Sequence, residues 1–361
     1  MFPRTICSRA LRASNVLQRA YSTARPQVLL MDDILLAHED LKRLESRADI
    51  IRNETKDRAE LIRAFESGGP YANIKGLYRH FGGARSIRVS GRFDPELVSK
   101  LPSSLRFIVH NGAGYDQLNV ATADTALFLL IGAMRNFALA MGQLDAGVFN
   151  SQFPFREATD PAGTVLGIVG AGGIGQEFAR KAAHALGVRV VYHNRNRLDA
   201  AKEAEGMPEG RPMEYVSSFE ELLKISDAVS LNCPLTPATR HLMSTEQFKL
   251  MKPTAVLINT ARGPVVDEQA LVTALENGEI AGAGLDVYEN EVRIYLHKPS
   301  VHPGLMALRG TKALLLPHVG TLSLQTQTSM EAACLRNLEH GLETGKLSYT
   351  VREQEGLDLR A

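Results

Sequence analysis

The sequence predicts an α/β protein long enough for two domains, with a parallel sheet covered by helices on both faces. Three observations carry this. From Thr164 onward, short apolar runs alternate with helical patterns in regular order. Strands that are apolar throughout are buried on both faces, as in parallel sheets packed under helices. One strand–helix junction in that stretch is rich in glycine, "GIVGAGGIG" (167–175). The length of 361 residues suits two domains of ordinary size.

The elements follow in order. The first 25 residues hold Arg4, Arg9, Arg12, Arg19 and Arg25, and the first acid is Asp32. An Arg-rich, Ser-containing, acid-free start is the signature of a mitochondrial transit peptide, and "RAYS" (19–22) resembles a matrix-protease site. A disordered basic tail is the alternative. "QVLLM" (27–31) reads as a buried strand, followed by helical patterns over 38–50 and 57–65. In "FDPELVSKL", Asp94 and Pro95 stand where a helix wants its cap and first residue. "LRFIVHNGAGYD" (105–116) is a strand ending in a glycine turn. "ADTALFLLIGAMRNFALAM" (123–141) is a long apolar helix, too short and interrupted to span a bilayer. Then come strand "TVLGIVGAGGIG", helix "QEFARKAAHAL" stopped by Gly187, and strand "VRVVYH". Helix "SFEELLKI", strand "AVSLNC", helix "STEQFKLM" and strand "TAVLINT" continue the pattern. Helix "VDEQALVTALENG", strands "GAGLDV" and "KALLLPHV", and a helix over 323–343 complete it.

Composition excludes several classes. With 41 basic and 40 acidic residues, nothing recommends nucleic acid or an anionic membrane as partner. Cys7, Cys233 and Cys334 are scattered with no CxxC pair, so neither a disulfide framework nor a metal site is expected.

The glycine turn places Gly170, Gly172 and Gly175 in GxGxxG spacing, with Gly173 and Ile174 opening the helix. Glycines there permit a tight turn, backbone approach to a pyrophosphate, and close strand–helix packing. The helix start adds unpaired N–H groups and a positive dipole end. The next strand ends in "YHNRNR" (192–197), where an acidic residue would read the ribose hydroxyls. Asn194 can donate instead, and Arg195 and Arg197 offer charged forks suited to a 2′-phosphate. NADPH is therefore the expected cofactor, with NADH possible if the turn is merely a solvated basic loop.

Downstream, "NTARGPVVDE" (259–268), "GLDVYENE" (284–291) and "LPHVG" (316–320) stand at strand ends. With the glycine turn before them, the chain resembles the D-isomer-specific 2-hydroxyacid dehydrogenase family, in its glyoxylate/hydroxypyruvate reductase branch. The resemblance implies two Rossmann-like doubly wound domains. A dinucleotide-binding domain would take residues 121–321. A discontinuous substrate domain would take 25–120 plus 322–350, after a transit peptide over 1–24.

The resemblance also implies roles. Arg262 would grip the carboxylate and keto oxygen of a 2-oxo acid, His318 would carry the proton, and Glu291 would pair with it. Asp286 would hold the nicotinamide carboxamide. Gly112, Ala113 and Gly114 would offer N–H groups to the substrate carboxylate. Cys233 and Pro234 would line the adenine pocket, and Thr260, Ala261 and Gly320 would touch the cofactor. A homodimer built on the segment 123–149 is implied too. The chemistry asks for the same residue types. A protonated imidazole neutralises the oxygen left when hydride reaches a carbonyl, and a carboxylate neighbour favours that charged imidazole.

Two departures from the family pattern stand out. Val292 replaces a proline after Glu291, and 292–298 looks like an insertion, which makes Glu289 the alternative partner of His318. After Val120 a strand and its connections look absent. The reading is an NAD(P)H-dependent reductase of small 2-oxo acids. A catalytically impaired relative or a dinucleotide-sensing interaction protein is the alternative.

Overall fold

Alternate residues of the first strand face two different cores, and that splits the smaller half of the molecule into layers. The computed structural model describes residues 25–80, 83–91, 93–112, 116–149, 158–291 and 301–350, so the N-terminal basic segment 1–24 lies outside the described residues. Strands β1 (Gln27–Leu30), β2 (Asp49–Arg52), β3 (Ile74–His80) and β4 (Phe107–Asn111) form a parallel sheet in the order β2-β1-β3-β4. Val28 and Leu30 pack with Leu44 of α1 (His38–Glu45) and with Leu335 and Leu338. Leu29 and Met31 pack on the opposite face with Leu61 and Phe65 of α2 (Arg58–Phe65), Val89 of α3 (Ala84–Ser90) and Leu97 of α4 (Pro95–Val98). Successive side chains of a strand point to opposite faces, so a continuous apolar run feeds both layers.

The sequence reading found β1 and β4 but not β2 or β3. The first helix stops at Glu45, and part of its expected C-terminal end is β2. Its Asp49 and Arg52 are exposed and leave only Ile50 and Ile51 between them, so no apolar run marks it. Strand β3 hides behind Gly76, Lys75 and Arg79, which read as breaker and surface residues. Gly76 in fact marks a close approach: a Cβ there would lie 2.7 Å from Leu338 Cδ1. The predicted start at Asp94 and Pro95 is observed, with the Asp94 side chain accepting from the Leu97 N–H at 3.0 Å.

The larger sheet holds β5 (Val165–Val169), β6 (Arg189–His193), β7 (Glu214–Tyr215), β8 (Ala228–Leu231), β9 (Val256–Asn259), β10 (Gly282–Leu285) and β11 (Ala313–Leu315). All pairings are parallel, in the order β11-β10-β9-β8-β5-β6-β7. The direction of winding reverses between β5 and β8, the place where such sheets open a ligand crevice. The expected strands and helices of this half are present. Strand β7 and the short helices Ala200–Ala204 and Pro303–Leu308 carried no sequence signal.

The long apolar helix is longer at its start and shorter at its end than expected. Helix α5 runs Asp116–Met134, and α6 (Phe137–Asp145) leaves it at an angle of 72°. Asn136 makes the corner with φ +52, a left-handed conformation that Asn tolerates. Ala123, Ala126, Leu129 and Leu130 bury α5 against the larger sheet and α7 (Gly173–Leu186). Among the described residues no single helix is long and apolar enough to cross a membrane. Strand β4 is the edge of the smaller sheet, with Ile108 exposed on it.

The C-terminal helix, Leu324–Thr344, returns to the smaller sheet. It packs on β4, β3 and α1, and Arg43–Glu339 and Arg336–Asp40 ion pairs tie it to α1. Its buried Glu331 accepts from the N–H groups of Leu35, Leu36 and Ala37 at 3.1, 2.7 and 2.9 Å. The N-cap of α1 is Ala37, which has no side chain to cap with, so the carboxylate that organises its entry comes from nearly 300 residues away. Glu331→Ala leaves those donors unsatisfied. We expect it to lower stability by about 3 kcal/mol, with Glu331→Gln less harmful, as read from urea midpoints.

Candidate active site

The glycine turn sits at the switch point, and each glycine has a separate physical reason. Gly170 adopts φ +97, and a Cβ there would lie 2.8 Å from the Cys233 nitrogen at the end of neighbouring β8. A Cβ on Gly175 would lie 2.4 Å from the Gly170 carbonyl, so the third glycine lets helix and turn touch. Around Gly172 nothing stands within 4 Å, so this one leaves open space above the start of α7. Gly172 is the N-cap of that helix and contributes no side chain to the first-turn N–H groups of Gly173 and Ile174. Two buried oxygens nearby in the sheet, Thr260 Oγ1 after β9 and Asn232 Oδ1 after β8, have no hydrogen-bond partner. Buried polar atoms are rarely left so without a ligand or water to meet them. This crevice fits a dinucleotide. Burial pushes the Cys233 thiol up, away from the thiolate, which agrees with a lining rather than a nucleophilic role.

At the end of β6 the two arginines part company. Arg195 is exposed. Arg197 donates from Nε and Nη2 to the two carboxylate oxygens of Glu203 at 2.8 and 2.9 Å, and lies 5.9 Å from the Tyr215 ring centre. Glu203 is buried and also accepts from the Tyr192 hydroxyl at 2.6 Å; Arg197, then Tyr192, hold its carboxyl down at about 2. The expectation of two available forks is therefore corrected: one face of Arg197 is committed to bracing the turn. Asn194 is partly committed as well, its Oδ1 accepting from the Ala171 N–H at 2.8 Å. Its oxygen thus fastens the basic turn to the glycine turn.

The catalytic candidates converge at the ends of β9, β10 and β11. Asn259 is buried and shapes the Arg262 turn, accepting from Ala261 N–H at 3.0 Å and donating to the Arg262 carbonyl at 3.2 Å. Arg262 is exposed, with Nη1 donating to the Ala261 carbonyl at 2.7 Å. Gly263 follows because a Cβ there would fall within 2 Å of the Tyr288 carbonyl carbon. That contact presses the Arg262 turn onto the segment carrying Glu291.

Glu291 Oε1 accepts from the Tyr288 N–H at 2.9 Å, and Oε2 stands 3.0 Å from His318 Nδ1. A carboxylate only accepts, so Nδ1 carries the proton and Nε2 is the nitrogen that changes state. The hydrogen bond to Glu291 raises the His318 pKa against burial, with Asp286 adding to the rise and Arg262 opposing it. Glu291 is thus the partner, and Glu289, the alternative, is turned to His241 and Arg240. The insertion 292–298 lies outside the described residues, as do Ala113 and Gly114. Gly112 follows β4 with φ +145.

Asp286 has a task the sequence did not disclose. Its two carboxylate oxygens accept from the N–H groups of Val319 and Gly320, both at 2.8 Å. They hold the turn in which His318 sits at φ +57. A Cβ on Gly320 would lie 2.9 Å from Asp286 Oδ2, which accounts for that glycine.

The profile of the D-isomer specific 2-hydroxyacid dehydrogenase NAD binding domain matches residues 127–320. A 4-methyl-2-oxopentanoate reductase A from Aspergillus oryzae is 39% identical over 351 residues, covering 92% of this chain and 99% of its own. The chain belongs to the D-isomer specific 2-hydroxyacid dehydrogenase family. Glyoxylate reductase 1 of Saccharomyces cerevisiae is 36% identical, covering 92% of this chain and 97% of its own. The crystal structure of a glyoxylate reductase from Paecilomyes thermophila superposes with TM-score 0.80 at 39% identity, covering 91% and 99% of the two chains.

In this dehydrogenase a bound nicotinamide dinucleotide supplies or takes the hydride. The arrangement of the chain's own residues suits the remaining chemistry. A protonated His318 Nε2 can give a proton to a carbonyl oxygen and take it back in the reverse direction, and the Arg262 fork can pair with a carboxylate. If His318 carries the proton, reduction needs it protonated, so reductive kcat/KM should fall as pH rises through its raised pKa, while oxidation rises over the same range. His318→Ala should cost ~10²–10⁴-fold in kcat/KM. Arg262→Ala should raise KM and lower kcat together. Steady-state assays in both directions check this, and near-normal turnover by both variants contradicts the assignment.

Proposed function

We propose that the enzyme reduces small 2-oxo acids of the glyoxylate and hydroxypyruvate type, preferring NADPH. The observation that carries the cofactor reading is the end of β6. His193, Asn194 and the exposed Arg195 stand where a carboxylate would repel a 2′-phosphate. An NADPH-dependent glyoxylate/hydroxypyruvate reductase from Sinorhizobium meliloti, 28% identical with TM-score 0.70, supports the same direction. The substrate reading rests on Arg262 beside a histidine–carboxylate pair. Residues 121–321 serve the dinucleotide, while 25–120 and 322–350 serve the substrate. An NADPH-oxidation screen over glyoxylate, hydroxypyruvate and 4-methyl-2-oxopentanoate tests the reading. No turnover with any of them would favour a catalytically impaired relative or a dinucleotide sensor.

The two arginines should separate by variant. Arg195→Ala should weaken NADPH by about tenfold, the scale of one charge-assisted bond, and leave NADH nearly unchanged. Arg197→Ala should weaken both cofactors alike, because it frees the turn from Glu203. Fluorescence titration of each variant with both dinucleotides checks this, and equal losses for Arg195→Ala refute its phosphate role.

Two further readings concern the assembly and its location. Phe137, Met141 and Leu144 of α6, with Phe149 just beyond, are exposed, which supports the homodimer that the family resemblance implies. The acid-free, arginine-rich residues 1–24 support import into the mitochondrial matrix, with the cytosol as the alternative. A reporter fused to residues 1–26 should enter mitochondria and be cut near Tyr21; a cytosolic reporter overturns the assignment.

A further inference from the structure

Among the described residues three non-glycine residues have positive φ: Asn136, His241 and His318. Asn136 turns α5 into α6. The other two are histidines, and each faces a carboxylate of one short segment, 286–291. His318 Nδ1 meets Glu291, and His241 Nε2 meets Glu289. Left-handed backbone at a residue with a Cβ persists only where its surroundings over-determine it, and the contacts around His241 do so. Its N–H donates to the Pro264 carbonyl at 2.8 Å, and the Met243 N–H donates to the Val265 carbonyl at 3.1 Å. The segment 241–243 therefore lies along the turn that follows Arg262. The Glu289 N–H donates to Glu268 Oε1 at 2.9 Å, and Glu268 is buried at the start of the helix Glu268–Asn277. Gly263 presses the same turn against Tyr288 and Glu289.

Three segments are thus bonded in a ring: 240–243, 262–268 and 286–291. Arg262 stands on the second and Glu291 on the third. His241 joins them, its backbone on one and its side chain on the other. We propose that His241 is a positioning residue: by holding Glu289 it fixes the segment 286–291 against the Arg262 turn and reserves Glu291 for His318. This rests on the reading of Arg262, Glu291 and His318 as the catalytic set. Without the pair, the segment 286–291 loses one of its ties to the Arg262 turn, and Glu291 loosens with it. Among the described residues, the groups that face His318 include Glu291, Asp286 and Arg262, and those that face Glu289 include His241, Arg240 and Glu268.

The test compares His241→Ala, His241→Gln and Glu289→Gln with the unmodified enzyme. The readouts are kcat, KM for the 2-oxo acid, the pH profile of reductive kcat/KM, and NADPH affinity by fluorescence titration. A misplacement of ~1 Å at the reacting groups can cost ~10²-fold. His241→Ala should lower kcat by up to about that factor and leave NADPH affinity within about twofold. Its alkaline limb should move to lower pH, because a loosened Glu291 no longer holds up the His318 pKa. His241→Gln keeps a donor and should recover much of the loss. Glu289→Gln should shift the limb the same way by less, and His241→Ala combined with Glu289→Gln should be no worse than His241→Ala alone. An unmoved alkaline limb in both Glu289→Gln and His241→Ala overturns the proposal. If His241→Ala does not fold, Glu289→Gln decides. Should His318→Ala stay active, the catalytic reading itself falls; an inactive His318→Ala with unaltered His241 variants sinks only the positioning role.

Discussion

The buried carboxylate of Asp286 is the constraint on which the site depends. It sits at the end of β10 and gathers two successive N–H groups from the turn beyond β11. Burial pushes its pKa up, and those two hydrogen bonds pull against the rise. That contact holds His318 in a left-handed conformation a free chain would abandon. The imidazole then meets Glu291, itself fixed by the backbone of Tyr288. A backbone clamp comes first, and the His318–Glu291 pair is its result.

The same division of labour appears at the cofactor end. The residues that look made to touch a ligand are partly spent on shaping the turn. Asn194 fastens the basic turn to Ala171, and Arg197 is braced by Glu203 and Tyr192. Such bracing makes a loop rigid enough to present one charge in one place. A fixed arrangement loses less entropy on binding than a mobile one.

The larger sheet was legible because each of its long strands is an apolar run between glycine or polar breaks, and the three motifs mark their ends. Gly170, Gly172 and Gly175 announced the crevice by spacing alone. Strands β2 and β3 were not legible, since one is bounded by the charged Asp49 and Arg52 and the other carries Gly76, Lys75 and Arg79 within its span. Both need tertiary partners to make sense of their residues. Among the site residues, Arg262, Glu291 and His318 could be named from motif order. The work of Asn259, Asp286 and His241 could not, because it consists of contacts between segments far apart in sequence. The signal that could have pointed to Gly263 and Gly320 was their place in "ARG" and "HVG", just after Arg262 and His318, each marking a backbone pressed close to its neighbour.

The C-terminal helix has a bearing on how the molecule comes into being. Val28 and Leu30 wait for Leu335 and Leu338 to cover them, and the entry to α1 waits for Glu331. On a ribosome the first strand emerges long before that helix. The larger sheet, whose strands lie between Val165 and Leu315, can close before the smaller one is covered. For that interval the apolar face of β1 is open, and a chain-binding chaperone would find its site there. The first strand to be made is among the last to be buried.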